Sequence, residues 1–281
     1  MKKLADRPPL FANLVEYANP KGLSVSKREN AMNKGYRLLF RFTLAFAVSI
    51  TTSGLFLRMP AADGAEKVSL KIGIIGSGNI GSTLGEFWIK AGHEVFFSSR
   101  HPEELKGLVE RLGPKAHAGT TREAVNFGDV ILVSVPYAAL PEIGRDLADV
   151  LPGKIVLDTC NPVPNRDGKM AEEARAKGTG IASPEYLRDV RLVRAFNTLG
   201  VSRLRSAAFK EGERIAIPIA GDDKAALEIG FRLVKDAGFD PVLVGPLARA
   251  NEFDQGGPLY GKVITAREMQ QSLGVNPTSK P

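Results

Sequence analysis

Residues 71–100, KIGIIGSGNIGSTLGEFWIKAGHEVFFSSR, constrain what this chain can fold into more than any other stretch. They read as a strand, a glycine-rich turn, a helix and a second strand. Lys71 to Ile75 is a short apolar run of strand type. The turn that follows, Gly76-Ser77-Gly78-Asn79-Ile80-Gly81, is a G-x-G-x-x-G. Ser82 to Ala91 then carries a helical stripe of Leu84, Phe87, Trp88 and Ala91, and Gly92 stops it. In such a turn the first glycine permits the tight bend, and the second lets a pyrophosphate approach the backbone. The third lets the helix lie close on its strand. The helix N-terminus offers free N–H groups and a positive dipole end to the phosphates. In this context the motif predicts dinucleotide binding rather than a plain turn.

The end of the second strand selects the nucleotide. An NAD site places Asp or Glu about 20 residues after the turn, on the ribose 2′-OH. Here that place holds Ser98-Ser99-Arg100, with no carboxylate. A carboxylate would repel a 2′-phosphate, whereas Ser99 and Arg100 can bind one, and the planar arginine fork matches phosphate oxygens. The expected cofactor is NADP(H). The competing reading leaves Ser99 and Arg100 as solvated residues of a strand end.

Downstream, the chain alternates between strand-like and helix-like runs. Pro102 opens a helix to about Leu112, with Glu103 and Glu104 in its first turn. Thr120 to Phe127 is a short helix in which Thr120 and Glu123 are spaced as a capping box. Asp129 to Val135 is a buried strand stopped by Pro136, and Ala139 to Leu151 is helical. Lys154 to Asn161 is the next strand, stopped by Pro162, and Arg191 to Thr198 is another with a polar end. Ile215 to Gly221, a helix from about Lys224 to Ala237, and Pro241 to Gly245 form a last β-α-β unit. Near the C-terminus, Thr265 and Glu268 form a second capping-box pair. This alternation predicts an α/β fold, a doubly wound parallel sheet of the Rossmann type with a short C-terminal extension. Ligands of such sheets sit beyond the strand C-termini. Val135-Pro136-Tyr137, Asn161-Pro162 and Asn197-Thr198 are therefore expected to line the nicotinamide side of the cleft. Taken singly, each proline is equally well a strand terminator.

The expected domains are an N-terminal segment over 1–66, an NADP-binding domain over 67–249 and a tail over 250–281. The 281-residue chain has a net charge of +7. Ten basic and four acidic residues up to Ala65 put +6 of it there. The nearly neutral body shows no basic stripe interleaved with aromatics, which argues against nucleic acid as a partner. Within the N-terminal segment, residues 42–57 (FTLAFAVSITTSGLFL) are uncharged. Basic residues precede this run and small residues follow it, the layout of an export signal cleaved near Ala65. It is short for a membrane span, which needs about 20 residues. The expectation is an exported or periplasmic protein; the alternative is an apolar helix on a cytoplasmic one. Cys160 is the only cysteine, so no intrachain disulfide forms. His93, His101 and His117 lack metal-ligand spacing, so no metal is expected.

Together these motifs resemble the NADP oxidoreductases that depend on the deazaflavin coenzyme F420. They are also similar to the cytoplasmic reductase domain of the STEAP ferric reductases. The resemblance runs from about Lys71 to Gly245. It rests on GIIGSGNIG, the SSR strand end, the VSVPY and DTCNP turns, and VRAFNTLG. It implies that Ser99 and Arg100 hold the 2′-phosphate and that Ser77, Asn79 and Ile80 contact the pyrophosphate. Val135, Pro136 and Asn161 would flank the nicotinamide. Glu104 stands near the place where the family often has a further basic residue, and the tail after Leu247 matches poorly. The implied activity is hydride transfer between NADP(H) and a small-molecule acceptor, F420 or a flavin. That step needs apposed rings rather than a general acid or base, and no catalytic residue is named. Two other readings compete with it. One is an NADPH-binding sensor or interaction module without turnover. The other is a β-hydroxyacid dehydrogenase, for which too little chain follows Gly245. A homodimer is the expected assembly.

Overall fold

The computed structural model describes residues 68–274. The apolar run 42–57 and the expected cleavage point near Ala65 lie outside the described residues. The strands are β1 Lys71–Ile75, β2 Glu94–Ser98, β3 Ala116–Gly119, β4 Val130–Val133, β5 Ile155–Asp158, β6 Arg191–Arg194, β7 Ala216–Gly221 and β8 Asp240–Gly245. They form one sheet in the order β3-β2-β1-β4-β5-β6-β7-β8. The helices are α1 Asn79–Lys90, α2 Lys106–Leu112, α3 Thr121–Phe127, α4 Leu140–Asp146, α5 Pro164–Lys177, α6 Thr179–Tyr186, α7 Val201–Ala207, α8 Lys224–Asp236 and α9 Ala266–Leu273.

The sheet is doubly wound because its central strands are apolar on both sides. All four residues of β4 are buried. Val130 and Leu132 pack into one cluster with Ile72, Ile74, Leu84 and Trp88. Ile131 and Val133 pack into another with Val125, Tyr137 and Val156. A strand with period-two side chains and no polar member must be covered by helices on both faces. Trp88 is fully buried, and its Nε1 donates to Leu233 O of α8 at 2.9 Å. This ties α1 to α8 of the last β-α-β unit, with which it shares one core cluster. Truncating so large a buried ring costs about 3–5 kcal/mol in typical cores.

Several elements depart from expectation, among them the strand expected over Arg191–Thr198, which ends at Arg194. The sheet is not wholly parallel: β7 runs antiparallel to β6. The connection between them holds only the seven-residue α7. After β6 the chain passes through α7 and re-enters the sheet at the end where β6 stops. The helix expected over Ala139–Leu151 is shorter, a 3-10 turn over Tyr137–Ala139 followed by α4. Both capping boxes form as expected. Thr120 Oγ1 accepts from Glu123 N and Thr265 Oγ1 from Glu268 N, while each glutamate returns a bond to the cap N–H.

Candidate functional site

The glycine-rich turn leaves β1 and enters α1. Gly76 adopts φ +94°, and a Cβ there would stand 2.4 Å from Ser134 O and 2.7 Å from Val135 Cγ1. The turn therefore lies directly against the loop that leaves β4. A Cβ at Gly81 would meet Gly76 O at 2.2 Å, the close helix–turn approach that the third glycine permits. Gly78 is different, because a Cβ there meets nothing within 4 Å. It faces open space at the α1 N-terminus, which has no side-chain cap. The first N–H groups of a twelve-residue helix are thus left for an external acceptor.

Ser77 N donates to Ser98 O at 3.0 Å, joining this turn to the end of β2. Ser99 and Arg100 follow at once. Ser99 Oγ accepts from His101 N at 3.1 Å, so its own hydroxyl proton is free to donate. Arg100 is exposed and, among the described residues, has no carboxylate partner. The residues fit a 2′-phosphorylated dinucleotide: an open pyrophosphate cradle, then a hydroxyl and an unpaired guanidinium at the next strand end. Gly76, Ser77, Gly78, Asn79, Ile80, Gly81, Ser99, Arg100, Val135, Pro136 and Asn161 all sit at the C-terminal ends of β1, β2, β4 and β5. Adjacent pairing of these strands brings them to one edge.

The C-terminal ends of β5 and β6 hold a polar cluster whose pairing the sequence motifs do not announce. Arg194, fully buried, ion-pairs with Asp158 Oδ2 at 2.9 Å and with Asp254 Oδ1 at 2.9 Å. It also donates to the carbonyls of Asp158 and Cys160. Burial alone would lower its pKa, but the two carboxylates outweigh that and keep it charged. Asp254 further accepts from Thr179 N at 2.9 Å and from Thr179 Oγ1. Asn197, expected in the cleft wall, is buried instead. Its O accepts from Asn161 Nδ2 at 2.7 Å, and its Nδ2 donates to Phe253 O at 3.3 Å. Thr198 is buried as well. Asn161 thus stands in the wall, with Asn197 behind it as its support. Phe196, between Arg194 and Asn197, is held at φ +60°, a strained conformation for a bulky residue. Asp158 and Arg194 fall within the DTCNP and VRAFNTLG stretches, each a charged residue ending an apolar strand, but nothing local shows that they pair; Thr179 and Asp254 lie outside every motif read from the sequence.

The loop after β4 is held from below. Asp167 accepts from Val163 N and Ala138 N, and from Arg166. Burial by itself would raise this carboxyl, but Arg166 and the two N–H groups outweigh it and hold it below its ordinary value. Tyr137, behind Pro136, is buried with its hydroxyl 3.2 Å from Ser183 Oγ, and burial pushes its pKa up. Cys160 is buried and its thiol contacts Val133 O at 3.6 Å. Burial, with Asp158 nearby, raises its pKa well above the ordinary thiol value. It is a small apolar residue of the strand end, not a poised thiolate. Among the described residues no cluster of three metal-ligating side chains occurs, and no helix is long and apolar enough to cross a membrane.

Residues 71–162 match the family described as NADP oxidoreductase, coenzyme F420-dependent. Metalloreductase STEAP3 of Rattus norvegicus is 30% identical over 204 residues, covering 70% of this chain and 39% of that protein. An NADPH-dependent reductive aminase of Aspergillus oryzae is 30% identical over 112 residues, 40% of this chain and 37% of that one. The chain thus spans less than half the length of these curated relatives. Among solved structures, the hypothetical protein SMa0349 of Sinorhizobium meliloti superposes with a TM-score of 0.59 at 28% identity. That match covers 70% of this chain and 96% of that one. A protein described as an F420-dependent NADP-reductase from Arthrobacter sp. FB24 shares the fold, with a TM-score of 0.53 at 20% identity over 65% of this chain and 88% of its own. Residues 71–162, which hold the glycine-rich turn and the basic strand end, are thus similar to the coenzyme F420-dependent NADP oxidoreductase family.

Proposed function

We propose that this protein transfers a hydride between NADP(H) and a flavin-like or deazaflavin acceptor. The observation that carries the reading is the pairing of open space over Gly78 with an unpaired Arg100 one strand away. The α1 N-terminus and Ser77 would hold the pyrophosphate, and Ser99 and Arg100 the 2′-phosphate. Val135, Pro136 and Asn161 would form the wall against which the nicotinamide ring is oriented. The bound cofactor supplies the transferable hydride; the protein's residues hold two rings face to face and exclude water. The raised thiol of Cys160 fits a direct transfer with no covalent enzyme intermediate. The family match and the reductase relatives support this reading.

Stopped-flow oxidation of NADPH against F420, FMN, FAD and ferric chelates tests it. Rapid oxidation is expected with at least one flavin or deazaflavin, with deuterium from labelled NADPH appearing in the reduced acceptor. Tight NADPH binding without oxidation by any acceptor would replace this reading with that of a sensor. The same proposal places the protein outside the cytoplasm, on the charge and apolar pattern of residues 32–65. A natural N-terminus near Glu66, found by mass spectrometry, is the expected result.

A further inference from the structure

Beside the nicotinamide wall lies a second concavity, with a volume of about 270 Å³, lined by Pro162, Arg175, Thr179, Asn251, Gln255 and Gly256 among others. It lies where α5 meets α6 and the segment after β8 folds over them. Its inner wall is Asp254, whose Oδ1 is 3.3 Å from Asn197 Nδ2, and Asn197 in turn supports Asn161. The concavity is therefore one residue removed from the proposed hydride-transfer wall. At this size it holds a substituent of a ligand rather than a whole drug-sized molecule.

Its charge pattern is specific. Asp254 is committed to Arg194, Thr179 and Asn197. Arg175, by contrast, is exposed and has no carboxylate partner among the described residues, although Arg166 of the same helix and Arg194 behind Asp254 are both paired. Its guanidinium end lies against Gly256, where a built Cβ would be 3.3 Å from Nη2. Any side chain at position 256 would crowd it. An unpaired guanidinium on the wall of a small polar concavity is matched by a group with two or more acceptor oxygens.

We propose that this concavity is an oxyanion subsite for the acceptor, with Arg175 binding a phosphate or carboxylate substituent while the acceptor's ring faces the nicotinamide wall. The proposal rests on the hydride-transfer reading for the ligand's identity, and its test is a binding measurement that does not depend on turnover. The full chain, loaded with NADP+ so that the 2′-phosphate site is filled, is titrated with FMN and with riboflavin, which differ by one phosphate. A charge-assisted contact predicts that FMN binds roughly 10- to 100-fold more tightly than riboflavin. Arg175→Ala should collapse that ratio towards one, and Arg175→Lys should keep part of it. The affinity for NADP+ should be the same in all three proteins, which also shows that the variants are folded. Competition by inorganic phosphate and by citrate tells a phosphate preference from a carboxylate one. Equal affinities for FMN and riboflavin in the native chain, an undiminished ratio in Arg175→Ala, or no binding of either flavin would each overturn the subsite. Oxidation of NADPH by riboflavin as fast as by FMN would leave the hydride-transfer reading standing and remove this one.

Discussion

Around β1 and β2, the proposed nucleotide cradle is made almost entirely of backbone. The glycine turn, the uncapped α1 N-terminus and the Ser77–Ser98 bond all come from one contiguous stretch of 30 residues, 71–100. Around β5 and β6, the opposite wall is made of buried side chains brought from far apart. Arg194 reaches Asp254 across 60 residues, Thr179 reaches it across 75, and Asn161 reaches Asn197 across 36. The first arrangement asks only that no side chain intrude. The second asks that every charge be matched, since an unpaired buried charge costs several kcal/mol. The two halves of one cleft should therefore fail in different ways when altered.

The largest effect should come from the β5–β6 side. Arg194→Met leaves Asp158 and Asp254 buried without their cation, and the expected loss of stability is about 3–5 kcal/mol. Urea denaturation measures it, and a loss below 1 kcal/mol would show that the cluster relaxes to water. The backbone-built half should behave oppositely. Gly78→Val adds a side chain in open space, so stability should hold while NADPH affinity falls by two decades or more, about 2.7 kcal/mol. Unchanged affinity in that variant would remove the turn as the binding site, and an unfolded variant would contradict the space seen over Gly78. Next comes Arg100→Ala, expected to weaken NADPH by about one to two decades with little change for NADH. Equal losses for both nucleotides would sink the 2′-phosphate assignment.

Acid sharpens the comparison further. The pKa of Asp167 is depressed in the fold, so its stabilising contribution is complete above the ordinary aspartate range. It is lost as pH falls through the lowered folded value. Asp167→Asn should flatten the acid limb of the stability curve below about pH 4, the ordinary aspartate range. An identical slope in both proteins would refute the assignment. The smallest effect should be that of Cys160→Ser, which keeps a small group at a buried strand end and should retain most turnover. Complete loss of turnover with NADPH binding preserved would reveal a thiol step.

The cradle was legible because its chemistry is local. A G-x-G-x-x-G between an apolar run and a helical stripe dictates turn, dipole and close packing within one β-α-β unit, and the SSR end of β2 lies beside it by strand pairing alone. The two capping boxes, Thr120 with Glu123 and Thr265 with Glu268, were legible for the same reason. Short elements with weak local signal were not. β3, with sequence AHAG, offers two alanines and no β-branched residue, and pairing with β2 makes it a strand. α5 is interrupted at Gly168, with φ +61°, and lies where no helical stripe marks it. The antiparallel entry of β7 has no local mark in the sequence and belongs to the assembled sheet.

What the sequence determined by itself was the α/β class, the glycine-rich turn into α1 and the basic strand end, because each arises from backbone geometry and neighbours within a few residues. Only the tertiary structure decided that Asn197 lies behind Asn161 rather than in the wall, that Arg194 is buried between two carboxylates, and that Asp254 brings the C-terminal extension against the strand ends. Side-chain charges separated by 60 residues carry no sign in the sequence of which will meet. Burial decides it, since each must find a partner once water is removed.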